Sequence, residues 1–169
     1  GSITQYKGDA VFNIVKINEF GDLDTTFNTN LGIGPDAQIR DIVQQSDGKI
    51  ILLGDFTSFN GNPTNRICRL NANGTFDNTF NPNGSGLLVT STVKKLAVDS
   101  LNRIYIAGDT SLSSYNGFST PIGIVRLHRN GELDLDFGTA GYGINGSINN
   151  ILINQKNELL KSEYRLTIK

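Results

Sequence analysis

Short apolar segments separated by turn residues run along the whole chain. Residues 50–53 and 104–107 are apolar at successive positions, and each segment follows a two-residue turn at 47–48 or 101–102. Gly and Asn, the second residues of these turns, tolerate the positive φ that tight hairpin turns require. Continuous apolar strands indicate sheets that are covered on both faces. The pattern therefore predicts small antiparallel sheets that pack face to face.

The remaining apolar segments extend this pattern to nine strands. No apolar stripe of helical period and useful length is present, so almost no helix is expected. The predicted strands cover residues 10–18, 39–45, 49–55, 65–71, 92–98, 103–109, 123–128, 147–153 and 158–169.

An internal repeat organises these strands. Residues 14–27, 67–80 and 124–137 align without gaps, and their turn glycines lie 53 and 57 residues apart. A second repeated element is the hairpin at residues 39–55, 93–109 and 148–160. Such repetition predicts supersecondary units that stack on one another. Three residue types coincide in the alignment: Gly21, Gly74 and Gly131; Asp24, Asp77 and Asp134; and Phe27, Phe80 and Phe137.

The repeat predicts an all-β fold of about three antiparallel, blade-like units of the β-propeller type in a single domain. The units cover residues 10–35, 36–90, 91–145 and 146–169, and the first and last of them are partial. The core is expected to hold the three repeated phenylalanines at equivalent buried positions. Four further core residues are predicted: Ile51, Leu53, Leu70 and Leu127.

The two partial units complement each other. The chain opens with a third-strand segment, residues 10–18, and closes with a hairpin that no third strand follows. We expect the first strand to complete the last unit, either within one chain or between two chains. Because propellers have roughly four to eight blades, three units favour either the pairing of chains or a three-fold arrangement that is not a standard propeller. A homo-oligomer is the expected assembly.

Composition limits the partners of the chain. Charged residues make up 18% of the sequence, the net charge is −1, and like charges form no block. This balance gives no indication of nucleic acid or of an anionic membrane as a partner. No apolar run is long enough for a membrane span. Because Gly1 and Ser2 resemble a cloning scar and no Met is present, we expect a piece of a longer protein.

The second unit carries a family resemblance. Residues 47–61, DGKIILLGDFTSFNG, and 65–80, NRICRLNANGTFDNTF, resemble the delta-sixty β-propeller repeat family. That family occurs in large bacterial surface or secreted proteins and in some bacteriophage structural proteins. The resemblance implies propeller-type blades and no known activity. It is weakest at residues 161–164, where the Gly-Asp pair at 54–55 and 108–109 has no counterpart.

The only histidine and the only cysteine both lie at repeat positions. His128 stands where the aligned units have asparagine, so it is either a metal ligand or general base, or an exposed position that has drifted. The second interpretation is favoured, because the repeat places no Ser, Cys or carboxylate to form a triad with it. Cys68 aligns with valine in the other two units, which predicts a small buried side chain.

The repeated carboxylates have two interpretations. Asp22 with Asp24, and Asp134 with Asp136, are candidates for calcium ligands or for the acid pair of a glycosidase. An aspartate three residues after every turn glycine is more typical of a turn brace, whose carboxylate accepts backbone N–H groups. The brace is favoured, and no metal or cofactor is expected.

Charged residues recur at two further positions. Lys16, Arg69 and Arg126 share one position, and Asp55 and Asp109 share another at the end of the neighbouring strand. They form either a charged binding rim or one cross-strand ion pair per unit, and the ion pair is favoured.

The loops after Asp55 and Asp109 differ most between units. Aromatic, Asn and Ser side chains in such loops suit the recognition of sugar or protein. The aromatic residue before Asn-Gly recurs, however, and this recurrence favours a structural plug. The candidate ligand-binding residues are Phe56, Phe59, Asn60, Tyr115, Asn116 and Phe118.

These observations favour a non-catalytic binding or structural module of an extracellular or virion assembly, such as a bacteriophage tail fibre or a surface adhesin. Its expected partners are other copies of itself, other domains of a larger assembly, or a cell-surface glycan or protein. The alternative is a glycan-active enzyme with propeller geometry that uses acids such as Asp22 and Asp134.

Overall fold

The computed structural model describes residues 3–82, 84–88, 90–121, 123–138 and 146–162. These residues form short strands and one short helix, and every strand pairing among them is antiparallel. The elements in chain order are β1 (Gln5–Tyr6), β2 (Asp9–Ala10), α1 (Thr25–Asn30), β3 (Ile39–Gln44), β4 (Ile50–Gly54), β5 (Ser58–Phe59), β6 (Asn62–Pro63), β7 (Ile67–Leu70), β8 (Val93–Val98), β9 (Ile104–Gly108), β10 (Ser114–Tyr115), β11 (Phe118–Ser119), β12 (Ile124–Leu127), β13 (Asn150–Ile153) and β14 (Leu159–Ser162).

Two sheets of identical design form the centre of the molecule. The second blade has the strand order β3-β4-β7, and the third blade has the equivalent order β8-β9-β12. Ile51 lies opposite Arg69 in the second blade, just as Tyr105 lies opposite Arg126 in the third. Because the register is the same in both blades, equivalent repeat positions lie at equivalent places in the two sheets. This equivalence confirms the blade-like antiparallel repeat.

The blades follow one another in chain order. Strand β3 lies beside β8, and β8 lies beside β13. The main apolar core fills the space between the second and third blades and includes Ile51, Phe80, Leu96 and Tyr115. Strands β4 and β9 are buried on both faces, as their continuous apolar runs predict.

Glycine is required where one unit contacts the next. Gly74 has φ +91°, and a Cβ there would lie 2.6 Å from the carbonyl oxygen of Phe27. Gly131 has φ +89°, and its Cβ would lie 2.8 Å from the Phe80 ring. Phe27 and Phe80 therefore each pack against the turn glycine of the following unit. Phe27 and Phe80 are buried as predicted, whereas Phe137 is only half-buried and packs edge-on against Tyr105.

The other predicted core residues are confirmed. All of them are fully buried in the interior of the blades: Ile51, Leu53, Leu70 and Leu127.

The predicted strand over residues 10–18 is wrong. Strand β2 ends at Ala10, and the only bridge formed by residues 11–18 joins Ile17 to Leu23. The equivalent strands β7 and β12 exist because β4 and β9 pair with them. Residues 14–17 have no such neighbour among the described parts of the chain, and within these parts the segment does not pair with β13 or β14.

The predicted hairpins are confirmed with small shifts at their ends. Strands β3, β4, β8 and β9 match their predicted ranges closely, and β13 begins at Asn150 rather than at residue 147. The predicted strand 158–169 is present as β14, and its part beyond Ser162 lies outside the described residues. The sequence did not predict three short hairpins, β1–β2, β5–β6 and β10–β11.

The single short helix follows from one repeated aspartate. Asp24 precedes α1, and its carboxylate accepts the N–H of Phe27 at 3.0 Å as an N-cap.

Candidate functional site

In each of the three aligned segments, the basic residue at the third-strand position pairs with the aspartate eight residues later. These pairs are Lys16–Asp24 at 2.9 Å, Arg69–Asp77 at 2.7 Å and Arg126–Asp134 at 2.7 Å. The same basic side chain lies over the ring of the repeated phenylalanine. The distance from the cation to the ring centroid is 5.3 Å for Lys16 and Phe27, 4.9 Å for Arg69 and Phe80, and 4.5 Å for Arg126 and Phe137. The favoured ion pair per unit therefore exists, but its predicted acidic partner was wrong.

The aspartates at the ends of β4 and β9 have other partners. Asp55 binds Arg40 at 2.6 Å and Arg66 at 3.3 Å. Asp109 accepts hydrogen bonds from the backbone N–H and the hydroxyl of Ser111. Neither aspartate forms an ion pair with Arg69 or Arg126, because those side chains turn away from β4 and β9 toward Asp77 and Asp134.

The repeated aspartates also brace their turns, as predicted. Asp77 accepts the N–H of Thr79 at 3.0 Å, and Asp134 accepts the N–H of Asp136 at 3.1 Å. Burial alone would raise the pKa of Asp77, but hydrogen bonds from Lys49, Thr79 and Arg69 hold that pKa below its usual range. A carboxylate with these bonds is fixed as an anion and serves the fold.

The Arg69 side chain extends this network to the third blade. Its guanidinium donates to the carbonyl of Arg129 at 2.6 Å and to the side-chain oxygen of Gln45 at 3.3 Å. Nearby, the Asn102 side chain accepts the N–H of Ser46 at 2.9 Å and donates to its hydroxyl at 2.8 Å. Polar side chains therefore hold neighbouring hairpin turns together.

Three of the four aromatic residues of the predicted ligand site are buried as structural plugs. Phe56, Phe59 and Tyr115 are fully buried, so none of the three presents its ring to a ligand. The Tyr115 hydroxyl donates to the carbonyl of Gly131 at 2.8 Å, and Tyr6 donates in the same way to Gly21 at 2.7 Å. Burial raises the pKa of the Tyr115 hydroxyl.

The two asparagines of the predicted site anchor their hairpins. The N–H of Asn60 donates to Gly34, and the N–H of Asn116 donates to Gly86, each at 2.8 Å. The Asn116 side chain also exchanges hydrogen bonds with the Asn81 side chain. Phe118, in contrast, is a large exposed apolar side chain, and its role in ligand binding stays a prediction.

A polar cleft of about 290 Å³ lies at the outer edge of the second blade. We call it the outer cleft; its lining includes Asn62, Phe76, Asn78 and Asn81, with the Arg69–Asp77 pair among its residues. Amide groups beside aromatic rings suit neutral polar ligands. The sequence analysis missed this cleft, although asparagines cluster visibly at residues 71–83.

A smaller cavity of about 110 Å³ occupies the equivalent place on the third blade. Thr120 lines it, and the buried Thr120 hydroxyl has no hydrogen-bond partner within the part of the chain that the structure describes. In the second blade the equivalent Thr64 hydroxyl donates to the carbonyl of Ile67. Both blades therefore have a cavity at their outer edge, and the chemistry of its lining differs between the two blades.

The lone histidine and cysteine fit their favoured interpretations. His128 is exposed in a groove of about 520 Å³. Cys68 is buried, and burial raises the pKa of its thiol. Across the described residues, no cluster of three or more His, Cys, Asp or Glu side chains is placed to hold a metal ion. No helix in this part of the protein has the length and apolar character to cross a membrane.

Sequential antiparallel blades make this chain a β-propeller-type repeat protein. Residues 45–80 and 102–137 match a protein family described as a domain of unknown function (DUF5122) beta-propeller. Each matched range runs from the tip of a blade's hairpin to the repeated phenylalanine, so the chain is similar to this family in both complete blades. The comparisons with curated proteins and with solved structures gave no match.

Proposed function

We propose that the chain is a non-catalytic binding or structural module of an extracellular or virion assembly. One observation carries this proposal: the charged residues that recur in every unit are engaged in bonds that brace turns and join blades. Arg69 and Asp77 are the clearest example, since both side chains are buried and bonded to each other and to neighbouring groups.

The acid pair of the alternative, a glycan-active enzyme, lacks support from the geometry. Glycosidase carboxyl groups act together from one cavity, roughly 5–9.5 Å apart. Asp22 lies in an exposed turn of the first unit, 3.7 Å from Lys7. Asp134 is buried in the third blade and bonded to Arg126. Each carboxylate belongs to a separate structural pair in a different unit.

The resemblance to the delta-sixty repeat family supports an extracellular or virion location for this module. Members of that family occur on bacterial surfaces and in bacteriophage particles, so a tail fibre or a surface adhesin is the proposed setting. A cell-surface glycan suits the outer cleft, because amides bind hydroxyl groups and aromatic rings contact sugar faces. Other copies of the chain are the second proposed partner.

Glycan-array binding with a parallel assay for released reducing sugar tests the proposal. We expect the chain to retain glycan without turnover, and Asn78→Ala in the outer cleft to weaken binding at least tenfold. Gln155→Ala, an exposed amide far from the cleft in sequence, is the matched control and should bind normally. Release of reducing sugar would overturn the proposal, as would an array without any bound glycan combined with a strictly monomeric chain.

A further inference from the structure

The third blade has a small cavity at its outer edge, in the place that the outer cleft occupies on the second blade. We call it the third-blade cavity; its volume is about 110 Å³, and its lining includes Thr120, Pro121, Val125, Leu133 and Phe137. It has room for a group of a few non-hydrogen atoms, since a water molecule occupies roughly 30 Å³ in the liquid. A cavity of this size suits one substituent of a ligand.

One polar group of this cavity lacks a partner. Thr120 is 2% exposed, and its hydroxyl forms no hydrogen bond to any residue that the structure describes. In the second blade, the Thr64 hydroxyl donates to the carbonyl of Ile67. Both threonines donate their backbone N–H to the carbonyl of the residue seven positions earlier, so they occupy equivalent places.

The missing bond has a cause in the sequence of the third blade. Ile67 and Ile124 begin the equivalent strands β7 and β12. Thr64 lies three residues before its isoleucine, whereas Thr120 lies four residues before Ile124. The connection is therefore longer in the third blade, and the carbonyl at the start of β12 does not accept the Thr120 hydroxyl. A buried hydroxyl in this state has lost its bonds to water without compensation, which favours a ligand that accepts its hydrogen bond.

The walls of the third-blade cavity are more apolar than those of the outer cleft. Leu135 stands where the second blade has Asn78, and Gly138 stands where it has Asn81. Two amide side chains of the outer cleft thus have no counterpart here. The ring of Phe137 and the neighbouring aliphatic side chains offer contacts to a methyl group instead.

The charged residues of the cavity neutralise each other. The Asp134 carboxylate accepts from Arg126 at 2.7 Å and from the N–H of Asp136 at 3.1 Å. Burial would raise the pKa of Asp134, but the hydrogen bond from Arg126 holds that pKa below its usual range. A charged ligand would find no unpaired charge of opposite sign in this pair, so the cavity suits a neutral group.

We infer that the third-blade cavity binds the acetamido group of an N-acetylated sugar. The Thr120 hydroxyl donates to the acetamide carbonyl oxygen, and the acetamide methyl packs against Leu133 and the Phe137 ring. The inference rests on the proposed glycan binding and names the class of sugar that the third blade selects.

Neither water nor a following blade serves this cavity as well. A bound water needs roughly two to four polar partners, and most of the walls are apolar. The equivalent outer cleft stays open at about 290 Å³ although the third blade follows the second, so a following blade does not fill this position. A sugar hydroxyl would accept from Thr120 but would leave the apolar walls without contacts.

Nuclear magnetic resonance with matched sugars tests the inference. N-acetylglucosamine and N-acetylgalactosamine share the acetamido group, whereas glucose and galactose carry a hydroxyl in its place. We expect saturation transfer from the protein to the acetyl methyl protons, and affinities at least tenfold higher for the two N-acetylated sugars. Equal affinities for the acetylated and unacetylated sugars would overturn the inference.

The variant Thr120→Val removes the hydroxyl while it keeps the shape of the side chain. It should abolish the preference for N-acetylated sugars, and its midpoint of thermal unfolding should be unchanged or higher, because an unbonded hydroxyl is lost. The matched control, Thr64→Val, loses the bond to Ile67, so its midpoint should fall while the preference persists. If Thr120→Val kept the preference, or lost as much stability as Thr64→Val, the inference would be wrong.

The outcomes separate this inference from the proposed function. Binding of sugars without any preference for the acetamido group, weakened by Asn78→Ala and unaffected by Thr120→Val, would overturn the inference and support the proposed module. Release of reducing sugar would overturn the proposed function, whereas loss of the acetamido preference in Thr120→Val would still support the assignment of the cavity.

Discussion

The first unit and the second blade carry the same ion pair in different surroundings. In the first unit, the side chains of Lys16 and Asp24 are 48% and 32% exposed. In the second blade, those of Arg69 and Asp77 are 5% and 3% exposed. The two segments align without gaps and place the pair at the same repeat positions, so the neighbouring elements determine whether the pair lies in water or in the core.

The difference shows that a repeat position has no fixed environment. Arg69 is covered because the turn that contains Arg129 packs over it from the third blade, and because Lys49 shares its aspartate. Among the described residues, Lys16 pairs with Asp24 alone and is not covered by a neighbouring hairpin turn. Predictions about stability should therefore follow the neighbours of each unit rather than the repeat alone.

Truncation of the repeated phenylalanines should give the largest contrast. Phe80 is buried between two blades, so Phe80→Ala should lower the free energy of unfolding by about 3–5 kcal/mol. Phe137→Ala should lower it by roughly half as much, because that ring is only half-buried. Urea unfolding followed by fluorescence and circular dichroism measures both. If the two variants lost equal free energy of unfolding, Phe137 would have to be covered by a neighbouring molecule in solution.

Acid should affect the second blade through Asp77. Its folded pKa is lowered, so the unfolded chain takes up the proton first, and stability should fall as the pH drops below about 5. Asp77→Asn should lower the free energy of unfolding at pH 7 by about 3 kcal/mol, because Arg69 and Lys49 lose a buried anion.

The acid dependence itself checks that assignment. The Asp77→Asn chain should lose less stability between pH 6 and 3 than the unchanged chain, measured by urea unfolding at each pH. Asp24→Asn, the exposed counterpart, should have a much smaller effect at pH 7. An unchanged acid profile in Asp77→Asn would contradict the role of Asp77.

Substitutions in the hairpin turns should give the smallest difference in stability between a buried and an exposed copy of the same contact. Asn102 has φ +60° and bonds to Ser46, so Asn102→Gly keeps the turn but removes two hydrogen bonds between blades. We expect a loss of about 1–2 kcal/mol. Asn157→Gly removes the equivalent, more exposed bonds to Ser100 and should cost less. Thermal unfolding measures the loss of stability in both variants. A larger loss for Asn157→Gly than for Asn102→Gly would contradict the prediction that the more buried hydrogen bonds contribute more.

The sequence predicted the features that depend on neighbouring residues in the chain. The two-residue turns and continuous apolar runs predicted the hairpins β3–β4 and β8–β9, and the aligned segments predicted β7 and β12. The constant spacing between each repeated aspartate and its turn glycine predicted that the aspartates brace the turns. Each of these features needs only contacts within a single unit.

Features that depend on a neighbouring unit were harder to predict. Residues 14–17 have the sequence of a third strand but lack, among the described residues, a strand that would pair with them. The sequence left both a ligand-binding role and the favoured role of structural plug open for Phe59 and Tyr115, and both side chains are buried because their hairpins fold back over the blades. The constant spacing of eight residues between each basic residue and its aspartate was a visible signal for the true ion pair.

The contact between a phenylalanine and the next unit's glycine bears on how such proteins lengthen. All three aligned segments carry the phenylalanine and the glycine, and the contact is made at two junctions, Phe27 with Gly74 and Phe80 with Gly131. A tandem duplication of the gene segment for one unit would therefore supply matching surfaces on both sides at once. By contrast, a point mutation of Gly74 or Gly131 would clash with a ring or carbonyl encoded about fifty residues upstream. Selection should thus preserve these glycines while copy number changes freely.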